Sequence, residues 1–192
     1  MDSEHVWNRF SYQSALTAVV VGLAITEILG CVANILNKRP RARVYWLHLV
    51  WLVLLFMIIV QFWFAAFFWS LRQEKVGNSS LEFSALLCVP VAMYLCASLL
   101  APRIAPDAER FDFREYYYDN HRSIFTVLAL TLVVMAVHRT VVSGGAWLRT
   151  TNLIRGAGVI CLATLACFRH PRLHEAMVFV LIALFATFTA LF

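Results

Sequence analysis

The sequence predicts an all-α membrane protein, a six-helix transmembrane bundle with both termini on the outer side (N-out/C-out). Three observations carry this expectation. Six apolar runs fill most of the 192 residues, and about 20 residues of helix suffice to cross a hydrocarbon core roughly 30 Å thick. The composition is 61% hydrophobic and 14% charged, with a mean hydropathy of +0.74. The runs lack period-two alternation, and a bilayer admits only helices or closed barrels because backbone polar groups must be satisfied internally.

The first span covers about residues 12–36. Asp2 and Glu4 precede it against Arg9 alone, and the run is too long for the core of a cleaved signal peptide. Ile28-Leu29-Gly30-Cys31 has the outline of a lipoprotein cleavage box, but Glu27 stands directly before it. The second span, 44–70, follows a basic turn containing Pro40. The third, 82–101, opens with Ser79-x-x-Glu82, a capping-box pattern. It contains Pro90, which lacks a backbone donor and should kink it. The fourth, 121–142, can be capped by Asp119 or Asn120. Gly144-Gly145 makes a tight turn before the fifth, 148–168. The sixth is 173–192. Pro40, Pro102 and Pro171 mark helix ends, each beside an arginine.

Between the third and fourth spans, residues 102–120 form the longest connection, read as a cytoplasmic interfacial segment. Asp107 can cap a short helix there, with Phe113, Tyr116 and Tyr117 on one face. Tyr116 to Tyr118 would then anchor at headgroup depth. The alternative is a docking site for a cytoplasmic partner.

Orientation follows from charge. Lys38, Arg39, Arg41, Arg43, Arg103, Arg110, Arg114, Arg122, Arg169 and Arg172 lie in the odd connections; Arg9, Arg72, Lys75, Arg139 and Arg149 lie on the other side. Such a bias makes the odd connections cytoplasmic. The net charge of +5 therefore reports topology. A nucleic-acid partner is excluded, since no soluble basic domain exists to hold one. Asn78-Ser79-Ser80 is a chance-level glycosylation sequon on the outer side. All five cysteines (Cys31, Cys88, Cys96, Cys161, Cys167) fall within spans with no Cys-x-x-Cys pair, which indicates neither a disulfide framework nor a metal site.

Polar residues at membrane depth are the candidate site. Glu27 lies just past the middle of the first span, where a charge costs on the order of 3 kcal/mol or more and should face protein or water. Gly22, Thr26, Gly30 and Asn34 recur at i, i+4 beside it, a small and polar stripe that lets another helix approach and places this helix centrally. Arg155 is the only basic residue well inside a span, with Asn152 one turn before it. Gly156, Gly158, Ala163 and Ala166 make the fifth span a second small-residue helix. Gln61 falls at about the depth of Arg155, within an aromatic run from Phe62 to Trp69, and His138 with Arg139 closes the outer end of the fourth span. Together they predict a ligand or ion pathway in the outer half of the bundle. Glu27 would be a proton or cation acceptor, Arg155 an anion clamp, and an ion pair between them is within reach. The structural alternatives are a protonated Glu27 bonded to a carbonyl, an Arg155 that snorkels outward, and a simple interhelical hydrogen bond from Gln61. His48 has the same structural reading.

Enzyme chemistry has little support: no Gly-rich phosphate loop, His-Glu-x-x-His or nucleophile elbow is present. His48 and His138 sit at opposite faces, which does not make a bis-histidine haem site, and His170 with His174 spans a proline at a helix start. No cofactor is indicated.

Three stretches carry a family resemblance: Gly22-Leu-Ala-Ile-Thr-Glu-Ile-Leu-Gly30; His48-Leu-Val-Trp51 with Val60-Gln-Phe-Trp63; and Arg114-Glu-Tyr-Tyr with His121-Arg122. On these the chain resembles a group of uncharacterised bacterial multi-pass integral membrane proteins of about this length. Glu27 departs from the basic residue more frequent in that group. The resemblance implies a bacterial cytoplasmic (inner) membrane and no particular activity. The leading expectation is a transporter, channel-like or ligand-sensing protein whose site lies among the first, second and fifth spans. The first alternative is a structural or regulatory subunit, homo-oligomeric or bound to a membrane-protein partner through small-residue faces. A membrane enzyme acting on a lipid or quinone is the remaining one.

Overall fold

The computed structural model describes residues 3–37, 42–72, 80–102, 110–143 and 150–191. Among them are six helices: α1 (Ser3–Asn37), α2 (Trp46–Arg72), α3 (Ser80–Leu100), α4 (Phe113–Ser143), α5 (Thr150–Cys167) and α6 (Pro171–Ala190). Five of these, all but α3, contain a segment long and apolar enough to cross a membrane, and α3 contributes the shorter apolar stretch Leu87–Leu100. Two short strands, β1 (Ala42–Arg43) and β2 (Phe111–Asp112), pair in parallel with Ala42 opposite Phe111. They join the connection before α2 to the one before α4.

Each helix buries one face and leaves large apolar side chains on the other. Leu23, Val53, Leu130, Ile160 and Phe179 all point away from the bundle, as a lipid-facing surface requires. Helices α2, α3, α4, α5 and α6 are neighbours in that order, and α6 returns to α2. The result is a closed ring of five. Helix α1 lies outside it, packed along α3 and against α2.

The position of α1 corrects the expectation that it is central. Its buried row is apolar: Val21, Ala24, Ile28, Cys31 and Ile35, spaced three and four apart as one helix face. The stripe Gly22, Thr26, Gly30 and Asn34 is exposed. A Cβ at Gly22 or Gly30 would meet nothing within 4 Å. Thr26 needs no external partner, because its hydroxyl donates to its own helix at Gly22 O, 2.8 Å away. Close approach through a small residue occurs instead at Gly158 on α5, where a Cβ would lie 3.1 Å from Leu132 Cδ1 of α4. Gly156 faces open space.

Helix α4 begins two turns before the expected start, so 113–120 is not an interfacial loop. Its first residues continue the apolar face of the span: Phe113, Tyr117, His121, Ile124 and Leu128 are all buried, again at three- and four-residue spacing. Tyr117 and Tyr118 are core residues. The cap is Asp112, whose carboxylate accepts the backbone N–H groups of Arg114 (2.8 Å) and Glu115 (3.4 Å), as an N-cap acid does. Asp119 and Asn120 lie within the helix. Asn120 donates to Tyr116 O at 3.0 Å, and Asp119 meets Arg169 at 2.7 Å. Helix α3 runs through the buried Pro90 and ends at Leu100, just before Pro102. Pro171 is the first residue of α6, where its fixed φ and missing donor suit a helix start. Pro40, Asn78, Ser79, Asp107 and the Gly144-Gly145 turn lie outside the described residues.

Packing at Gly158 gives a paired prediction. Gly158→Leu forces α4 and α5 apart and should cost about 1–3 kcal/mol, the usual range for overpacking. Gly156→Leu points into open space and should leave the melting temperature unchanged or slightly raised, since Gly disfavours helix interiors. Thermal unfolding of both variants in detergent checks this; equal melting temperatures would sink the assigned α4–α5 contact.

Candidate functional site

The five-helix ring lines a half-open cavity of about 570 Å³, within the roughly 300–1,000 Å³ of small-molecule sites. Its lining runs along α2 from Trp51 to Ala66 and along α6 from Leu181 to Leu191, the end of that helix. At about 1.5 Å per residue these stretches span about 22 Å along α2 and about 15 Å along α6. Helices α3, α4 and α5 complete the wall with residues such as Met93, Leu128 and Leu162. The wall is mostly aliphatic and aromatic. Among the described residues its polar members are Gln61, Cys96, Thr131, Thr151 and Arg155.

The polar end is built on α5. Arg155 Nη1 donates to Asn152 Oδ1 at 3.0 Å. Asn152 Nδ2 donates to Thr140 Oγ1 on α4 at 3.2 Å, and Thr140 in turn donates to Ala136 O at 2.8 Å. The guanidinium also lies over the Phe188 ring of α6, 5.0 Å from its centroid, a cation–π contact. Three helices thus fix the direction of one cation. Deeper in the wall, the Thr131 hydroxyl donates to Val127 O at 2.8 Å and lies 3.6 Å from Cys96 Sγ.

The other end is closed by a directed hydrogen-bond chain. Trp51 Nε1–H donates to the Tyr117 hydroxyl at 3.1 Å, and that hydroxyl lies 2.9 Å from His174 Nδ1. His174 Nε2 lies 2.8 Å from Phe168 O. A carbonyl only accepts, so Nε2 carries the proton and Nδ1 is the acceptor. Tyr117 therefore donates to Nδ1 while accepting from the indole. The chain links α2, α4 and α6 and satisfies each member with a neutral imidazole. Around it, Tyr45 and Tyr118 share a hydroxyl contact of 3.1 Å. Trp51 meets Phe125 edge to face at 4.9 Å. The His121 ring lies 5.8 Å from that of His174, with its Nδ1 on Tyr118 O. His48 is 1% exposed and packs against Phe113, Tyr116 and Tyr117. The Leu100 backbone approaches its ring without completing a hydrogen bond.

The sequence candidates divide accordingly. Gln61 and Arg155 line the cavity together, and Asn152 orients Arg155. Glu27 is half-buried on α1, and none of the described side chains of that helix lines the cavity. Asn34 lies on the exposed face of α1. His138 is in α4, and its side chain lies outside the described residues. Sequence reasoning missed Trp51, Tyr117, His121 and His174. Their signal is positional: His48-x-x-Trp51, Tyr117-x-x-x-His121 and His174 each stand near the start of α2, α4 or α6, and these three starts meet at one end of the ring. Among the described residues, no three His, Cys, Asp or Glu side chains come together as a metal site.

Comparison of the chain with protein-family models, with curated proteins and with solved structures finds no match.

Tyr117→Phe removes two hydrogen bonds at once and leaves the Trp51 indole and His174 Nδ1 buried without partners. A cost of about 1–3 kcal/mol per orphaned group follows. Trp51→Phe removes only the first bond. In a double-mutant cycle of unfolding free energies, the pair should couple by about 0.5–2 kcal/mol. Additivity within experimental error would show that the indole–phenol bond does not stabilise the closed end.

Proposed function

We propose that this is a small bacterial inner-membrane protein that binds a small ligand inside the five-helix ring, as a transporter, channel-like protein or membrane-embedded sensor. The observation that carries this reading is the cavity itself. It is of ligand size, largely apolar, and holds one oriented cation at one end and a hydrogen-bonded closure at the other. Apolar walls with a few placed polar groups are the usual make-up of a small-molecule site. An ionisable residue inside a membrane bundle most often marks such a site or a pathway.

In this reading α3 is the sixth span. Its 21 residues reach about 31 Å, enough for the hydrocarbon core. The closed end is cytoplasmic and both termini are outside. The β1–β2 pairing and the Arg169–Asp119 ion pair bring the three odd connections to the Tyr117 end, and those connections together with the adjoining parts of α4 and α6 carry ten of the sixteen Lys and Arg. A basic end of this kind faces the cytoplasm. An impermeant thiol reagent on intact cells should therefore label Asp2→Cys directly and Arg172→Cys only after permeabilisation. The reverse pattern would invert the topology, and labelling of one terminus alone would remove a span.

The subunit reading draws on a separate observation. The exposed stripe of α1, with open space above Gly22 and Gly30, would admit another membrane helix. Glu27 and Asn34 belong to this helix and not to the ring. Native mass spectrometry of protein released gently from its own membrane separates the two. A reproducible small-molecule adduct that disappears in Arg155→Ala supports the ligand site. A bare protein arriving with a stoichiometric second polypeptide, lost in Gly22→Leu, would replace it with the subunit role.

A further inference from the structure

Burial along the ring changes systematically between its two ends. On α6, His174, Val178, Leu181, Phe185 and Phe188 form one row at three- and four-residue spacing. The first three are buried, and Phe185 and Phe188 are half-buried. On α2 the row His48, Trp51, Leu55 and Ile59 is buried, and its continuation, Phe62 and Ala66, is half-buried. One face losing burial along its length means that the helices part, so the ring is shut at the Tyr117 end and spread at the other. The shut end is not fully satisfied. His48 and His121 are 1% and 5% exposed. His121 Nδ1 donates to Tyr118 O, which leaves a lone pair on Nε2, and no donor among the described residues reaches it. Neither ring nitrogen of His48 completes a hydrogen bond, although a neutral imidazole has one N–H and one lone pair to place. Three polar atoms are thus enclosed without partners in the cluster that the Tyr117 hydroxyl holds together, and contact with water would relieve each of them.

We infer that the Tyr117 end is a proton-sensitive gate. Neutral His174 holds it shut, His48 and His121 strain it, and protonation of the cluster parts α6 from α2 and α4. This rests on the reading of the ring as a ligand site and gives that site a second mouth. The closure needs the His174 Nδ1 lone pair, which takes the Tyr117 proton; a proton bound there ends that bond. His121 and His174 lie ring to ring at 5.8 Å, so two imidazoliums would repel across the α4–α6 seam. Rings and backbone enclose His48: Phe113, Tyr116 and Tyr117 from α4 and the Leu100 backbone from α3. The charges of this end stand at its rim. Arg43 pairs with Asp112, Arg169 pairs with Asp119, and Arg114 lies over the Tyr45 ring. Glu115, Arg122 and Arg172 are exposed, Glu175 stands by Tyr118, and Cys31 of α1 stands by Tyr116. Among the described residues no carboxylate bonds to the three imidazoles. Charge on the cluster therefore needs water, and water enters only when the end opens. Opening grows as pH falls through the ordinary imidazole range, about 6.5.

Hydroxyl-radical footprinting of the full chain in phosphatidylcholine nanodiscs reads the gate, because side chains are oxidised where water reaches them. The readout is oxidation of Tyr117 and Tyr118, normalised to free tyrosine in the same solution. Both should be protected at about pH 8. At about pH 5.5, below the ordinary imidazole value, their oxidation should rise about threefold or more, with helix content by circular dichroism unchanged. His174→Gln keeps an acceptor near Tyr117 and cannot titrate, so it should lose the rise. His48→Phe combined with His121→Phe replaces the orphaned nitrogens by apolar rings and should reduce it. A rise undiminished in both variants would overturn the assignment of the gate to these histidines. If neither variant inserts, Tyr117→Phe serves: its Tyr118 should be oxidised at about pH 8 as readily as that of the unaltered chain at about pH 5.5, and continued protection would overturn the closure by the hydroxyl. Equal protection of the unaltered chain at both values would overturn the gate and leave the ligand site to its own test, the native-mass adduct. A pH response without any adduct would uphold the gate and remove its ligand.

Discussion

The Tyr117 hydroxyl holds the closed end of this molecule together. It belongs to α4, accepts from Trp51 of α2 and donates to His174 of α6, so one oxygen joins three of the five ring helices. In a bilayer nothing outside the protein can satisfy such groups, and lipid contact supplies no hydrophobic drive to bring helices together. Directional polar contacts and close packing must do it. The ring has both: the hydroxyl chain at one end, and the approach of Leu132 to Gly158 farther along. Closing one end tightly allows the helices to enclose space at the other without separating.

Small residues have two opposite roles in the same chain. At Gly158 the missing side chain admits Leu132 and draws α4 to α5. At Gly22 and Gly30 it is turned outward over open space, and the buried face of α1 is built from Val21, Ala24, Ile28 and Ile35 instead. Both helices carry glycines among other small residues. A stripe of glycines specifies that something can come close but not what does, and on α1 the neighbours inside this chain take the apolar face. Helix α1 covers α3 and α2, while the described cavity lining comes from the other five helices.

The helical class and the apolar helices were legible because hydrophobic length is a strong signal that needs no partner information. Gln61, Arg155 and Asn152 were legible for a related reason: residues at equal depth on spans of known direction share a layer. Depth alone could not show which way a side chain faces, which is why Glu27, at a plausible depth, falls on a helix outside the ring. The start of α4 was hidden because Tyr116 to Tyr118 beside basic residues have the composition of an interfacial anchor. Only the continuation of the row Phe113, Tyr117, His121 distinguishes a buried helix start, together with the Asp112-x-x-Glu115 pattern that caps it. His174 was hidden because its partner lies 57 residues away, and no local pattern encodes a contact between helix ends.

The direction of the hydrogen bonds limits what the closed end can do. An indole N–H donates and has no lone pair to accept with, so a chain that begins at Trp51 cannot pass a proton from the cavity to His174. It is a latch and not a wire. Trp51 is also part of the cavity wall, which makes it the one member of the latch that a bound molecule can touch. A ligand can shift an equilibrium only by the difference in its affinity for the two states. Any coupling between occupancy and opening at the Tyr117 end must therefore act through contact with the Trp51 ring or through its neighbour Phe125.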